Sequence, residues 1–136
     1  MEETSRDIII QHIESQRNFF ATNQTKDIGF RLAQLRKLKS AIQKNQKKLE
    51  AALWKDLHKS PEEAYLTEIS IVTGEIDYHI KQLKWWAKTK RVSTPLHLFP
   101  SSSHVMYEPL GLSLIIAPWN YPFQLLINSL VGSISA

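Results

Sequence analysis

Apolar positions fall at three- and four-residue steps along the chain as far as Trp86, and beyond Val92 they gather into short runs broken by proline and serine. That change of period separates a helical region from an extended one. Residues from about Ser5 to Phe20 read as an amphipathic helix with Ile9, Ile13 and Phe20 near one face, and Thr22 to Lys26 as a polar loop. A second helical segment begins near Asp27 and sets Leu35, Leu38, Ile42, Leu49, Leu53 and Leu57 on one stripe. Arg36, Lys37, Lys39, Lys44, Lys47 and Lys48 take the opposite side, a pattern expected of solvated helix surface. Asn45-Gln46 marks a break or bend between two helices.

Ser60-Pro61-Glu62-Glu63 carries the plainest local signal. It sets a hydroxyl at the N-cap, proline at the first helical position and Glu63 three residues on. A long helix is predicted from there to about Lys90, burying Tyr65, Ile69, Val72, Ile76, Leu83 and Trp86. Lys88, Lys90 and Arg91 would complement its C-terminal dipole, and Gly74 is a mild weakness inside it. Trp85-Trp86 reads as one buried ring and one on the rim.

Val92 to Phe99 and His104 to Tyr107 predict two short extended segments around the turn Pro100-Ser101-Ser102-Ser103, with Pro95 restricting the first to an edge. Leu112 to Ala117 is apolar, partly β-branched, and suits a central parallel strand. Pro118-Trp119-Asn120-Tyr121-Pro122 then turns into a helix over Phe123 to Ala136, where Gly132, Ser133 and Ser135 allow close packing on a sheet. In open α/β sheets ligands and catalytic groups lie just past the carboxyl ends of strands, so this turn is the candidate site. A single strand-helix step has no strand to pair with. The fold is therefore expected to be unfinished at Ala136.

Composition narrows the chemistry. A length of 136 residues with 43% hydrophobic positions suits one modest domain. The formal charge of +4 is too small to call for a nucleic-acid partner. There is no cysteine, which excludes disulfides, thiolate metal sites and a cysteine nucleophile within this chain. The acidic, polar start Met1-Glu2-Glu3-Thr4-Ser5 lacks the features of a secretory signal, so a cytoplasmic location is expected. No charged side chain occurs from Pro109 to Ala136, but Pro118 and Pro122 divide that span into pieces shorter than the roughly 20 residues a membrane helix needs. No membrane span is expected. None of the five histidines shares a metal-ligand spacing with another. His97 and His104 could face each other across the hairpin, but no metal site is assigned. On residue type alone Asn120 is a turn or cap residue and Trp119 a packed aromatic.

Glu108-Pro109-Leu110-Gly111 before the apolar run, and Trp119-Asn120-Tyr121-Pro122-Phe123 after it, resemble the class 3 (fatty-aldehyde-type) branch of the aldehyde dehydrogenases. Arg31-Leu32-Ala33-Gln34-Leu35 is similar to that family's early helix, and Asp56-Leu57-His58-Lys59 with Glu68-Ile69 to the segment leading into its long helix. The resemblance covers essentially the whole chain, in the family's order. It implies an α/β fold in three parts: an N-terminal helical region (1–91), a hairpin used in oligomerisation (92–110), and the first β-α unit of a Rossmann-like NAD(P)-binding domain (111–136), incomplete at Ala136. It implies an enzyme that oxidises aldehydes to carboxylic acids with NAD or NADP, active as a homodimer. Cofactor contacts would come from Ile116, Ala117, Pro118 and Trp119, without a glycine-rich fingerprint. Tyr121 and Leu125 match positions lining the aldehyde channel. Asn120 matches the oxyanion donor, a role that a fixed amide N–H suits. The nucleophilic cysteine and general-base glutamate are expected elsewhere, so this chain alone is expected to be inactive. The other reading is a non-catalytic helical interaction or dimerisation module derived from the same family.

Overall fold

The computed structural model describes residues 4–136. Helix α1 (Arg6–Ala21) starts at the Ser5 hydroxyl, which accepts from the Ile8 N–H. A 3-10 turn (Gln24–Lys26) leads to α2 (Ile28–Lys44), capped by Asp27, whose carboxylate accepts the Phe30 N–H at 2.6 Å. Asn45 breaks the path where the sequence suggested, and α3 (Gln46–Leu57) follows. His58 ends α3 in the left-handed region, φ 53°. Ser60 then caps α4 (Pro61–Ala64) by accepting from the Glu63 N–H at 3.2 Å, as the Ser-Pro-Glu-Glu pattern required.

The long helix departs from expectation in two ways. Its early part, Tyr65–Ile69, is a π turn, closed by the Ser70 N–H on the Tyr65 carbonyl. Regular winding resumes in α5 (Ser70–Trp86), which stops before Lys88, Lys90 and Arg91. A π turn holds one residue more than an α turn, so a stripe drawn at 3.6-residue spacing slips across it. Tyr65, expected inside, is 44% exposed, whereas Glu68 and Ile69 are both buried.

The core lies between α2, α5 and α6 (Pro122–Ser135). Leu32, Leu35 and Ile42 meet Ile69, Val72, Ile76 and Leu83, and Val131 closes the layer from α6. Buried Arg31 fastens the end of α6, donating to the carbonyls of Ser135 (3.1 Å) and Ala136 (3.4 Å), and to Lys26 at 2.8 Å. The lysine-rich side of α2 and α3 faces solvent except for Lys39, which pairs with Asp77 at 2.6 Å. Among the described residues α1 is met only near its end, where Phe19 packs on Phe30 and Phe20 is half-buried, so its apolar face stays open at Ile9 and Ile13.

Strands β1 (Lys90–Val92) and β2 (Ser103–Val105) pair antiparallel, Arg91 opposite His104. His97 lies in the 3-10 turn Leu96–Leu98 between them, so the expected opposition of His97 and His104 does not occur. The central strand expected over Leu112–Ala117 does not form either. Ile115 and Ala117 are half-buried while Leu114 and Ile116 are 86% and 85% exposed, the two-residue alternation of an extended chain. Among the described residues no neighbouring strand pairs with it, and an unpaired segment makes no ladder. In place of a parallel α/β sheet, the described residues form a helical body with one two-stranded hairpin. No helix among them is long and apolar enough to cross a membrane.

Candidate active site

A helix start leaves its first backbone N–H groups without partners inside the helix. At α6 the N-cap residue, Tyr121, offers no side-chain cap, and Pro122 has no N–H to satisfy. The Leu125 N–H returns to the Tyr121 carbonyl at 3.0 Å. The two that remain, on Phe123 and Gln124, donate to one carboxylate oxygen of Glu68 at 2.9 and 3.2 Å. The cap is thus supplied by a distant residue, and its negative charge sits where the helix dipole favours one.

Glu68 is fully buried, and a buried carboxylate needs a partner. Its other oxygen accepts from the Lys59 ammonium at 2.5 Å. The same ammonium donates to the Asn120 backbone carbonyl at 3.1 Å and lies 4.0 Å over the Tyr121 ring. An ammonium has three N–H donors. Carboxylate, carbonyl and ring face are one partner for each. Local geometry delivers both charges: the left-handed turn at His58 sends Lys59 inward, and the π turn buries Glu68 beside Ile69.

The turn residues singled out in the sequence lie on this platform. Asn120 is held by its backbone, while its side chain is exposed and makes no hydrogen bond among the described residues. Tyr121 is exposed apart from the face that Lys59 covers, and half-buried Leu125 follows one turn into α6. Ile116 and Trp119 (83% exposed) present bare apolar surface, with exposed Pro118 and half-buried Ala117 between them. These four offer backbone and apolar contact only. A cleft of about 820 Å³ lies toward the other end of α6, between Trp86, Tyr107, Leu112 and Ser133, and the turn does not line it. The turn is the better candidate, because there a buried ion pair fixes the backbone beside an exposed side-chain amide. No group of three His, Cys, Asp or Glu side chains comes together among the described residues.

Lys59 and Glu68 were not picked out as site residues in the sequence. Glu68 falls outside the apolar stripe drawn from the sequence, and it is the π turn that brings it onto the buried side.

The sequence matches the aldehyde dehydrogenase family over residues 1–136. The chain belongs to that family. Its similarity to the 4,4'-diaponeurosporen-aldehyde dehydrogenase of Staphylococcus aureus is 50% identity over 129 residues, 95% of this chain and 28% of that protein. Aldehyde dehydrogenase family 3 member B2 of Mus musculus is 44% identical over 124 residues, 91% of this chain and 26% of the relative. A solved structure described as the substrate-bound state of Staphylococcus aureus AldH superposes with a TM-score of 0.90 at 50% identity, over 93% of this chain and 28% of the other. The chain thus spans about a quarter of the length of these aldehyde dehydrogenases. The helical body with its small hairpin matches the N-terminal part of the family's fold.

Proposed function

We propose that this segment belongs to an NAD- or NADP-dependent aldehyde dehydrogenase in which Asn120 is the oxyanion donor. A thiolate adds to the aldehyde carbon, the C=O electron pair moves to oxygen, and the alkoxide of a thiohemiacetal results. An amide N–H fixed nearby stabilises that charge before hydride leaves, and water then releases the carboxylic acid from the thioester. The cofactor, when bound, supplies the hydride acceptor. The thiolate comes from outside these residues, since the chain holds no cysteine; on its own it does not oxidise aldehydes. The observation that carries this reading is the Asn120 turn itself: the backbone is anchored to a buried ion pair while the side-chain amide is left free.

Exposed Ile116 and Trp119, with Ala117 and Pro118, fit a flat dinucleotide that is gripped through apolar surface and backbone. Tyr121 and Leu125 would border the aldehyde's path. Residues 1–91, 92–110 and 111–136 would serve as helical region, oligomerisation hairpin and start of the Rossmann-like cofactor domain of a cytoplasmic homodimer. The test is turnover by the full-length protein with a panel of aldehydes and each dinucleotide, followed by the absorbance of the reduced cofactor. Aldehyde-dependent reduction is expected; silence with every pair contradicts the reading. Sedimentation of the isolated chain addresses the second possibility, a non-catalytic pairing module, which requires a discrete stable dimer.

A further inference from the structure

Building on that reading, we infer that Lys59 and Glu68 are positioning residues for the oxyanion donor: a buried ion pair that sets where the Asn120 amide points. Glu68 is fully buried and Lys59 nearly so, and together they grip the chain on both sides of Tyr121-Pro122. Lys59 holds the Asn120 carbonyl, and Glu68 holds the Phe123 and Gln124 N–H groups. A serine or asparagine at the N-cap would satisfy the same donors locally. Such a local cap would travel with the turn and leave its position free. A carboxylate from the π turn instead ties the turn to the helical core, 55 residues away in sequence. The ammonium over Tyr121 closes the remaining freedom, since that ring lies directly between the two anchored points. The pair touches neither aldehyde nor cofactor in this scheme and acts through Asn120.

The experiment is a double-mutant cycle in the full-length enzyme, pairing Lys59→Met or the isosteric Glu68→Gln with Asn120→Ala. With Asn120 present, each substitution should lower kcat about 10- to 100-fold, the cost of a misplacement near 1 Å, while the KM for the dinucleotide stays within about twofold. In the Asn120→Ala background the same substitutions should cost less than about threefold, because the group they position is gone. Equal losses in both backgrounds would show a merely structural role and overturn the inference, as would unchanged kcat in both single variants. If a single variant does not fold, the double variant Lys59→Met/Glu68→Gln, which leaves no uncompensated buried charge, decides by the same criteria. A wild-type enzyme silent toward every aldehyde would remove the dehydrogenase reading and this inference together. An active wild type with multiplying losses removes this one alone.

Discussion

At the residue scale, the site is built from one unusual placement: a lysine and a glutamate are buried side by side next to a turn that is otherwise open to solvent. Removing one member of a buried pair leaves an uncompensated charge and costs about 3–5 kcal/mol, whereas removing both leaves none. Lys59→Met and Glu68→Gln should therefore each lower the stability of the chain strongly, and the double variant should lose less than the sum. Chemical denaturation of the four proteins measures the difference, and strict additivity would show that the two groups do not interact. A milder effect belongs to Glu62 in the first turn of α4. Its own backbone N–H, and then the Ser60 hydroxyl, hold its carboxyl below the ordinary value. A lowered folded-state value means stability that is present above the ordinary carboxylate range and lost as pH falls through it toward the lowered value. Replacing Glu62 with Gln should remove that part of the acid slope in a pH series of melting temperatures, lowering stability slightly at neutral pH and leaving it unchanged well below the carboxylate range.

At the element scale, what could be read from the sequence was whatever depends on near neighbours. Ser60-Pro61-Glu62-Glu63, Asp27 and the Asn45 break all acted where they stood, because a cap or a break is decided within one turn of chain. The π turn was hidden. It adds one residue to a helix whose composition looks regular, and only packing against α6 shows why Glu68 faces inward. The strand at Leu112–Ala117 carried the right residue types and still made no ladder, because pairing is a property of two segments. Gly74 was legible as a weak point and remains one. It lies exposed within α5, and nothing stands within 4 Å of where a Cβ would go. Gly74→Ala should stabilise the chain by about 0.5–1 kcal/mol, visible as a raised denaturation midpoint. A lowered midpoint would mean that the glycine is needed for a contact beyond these residues.

At the scale of the whole molecule, the described helices close a core and leave several apolar surfaces uncovered, Leu96, Phe99 and Met106 around the hairpin among them. Ile8, Ile9, Ile10 and Ile13 stand open on α1, and Leu114, Ile116 and Trp119 on the segment before α6. Contiguous exposed apolar surface of this kind associates. Sedimentation velocity on the isolated chain should show concentration-dependent species larger than a monomer; one sharp monomer peak at all concentrations would contradict this. The candidate site was partly legible at this scale. Asn120 and its turn could be singled out by resemblance to the family, while the groups that hold the turn could not, because Lys59 and Glu68 reach it only through the folded core. The most direct test is the Asn120→Ala variant of the full-length enzyme, compared with wild type for aldehyde turnover and melting temperature. If Asn120 donates to the oxyanion, kcat should fall by about 10²–10³ while the melting temperature hardly moves, since the lost amide is exposed and unbonded. Wild-type kcat in that variant would show that the charge is stabilised elsewhere.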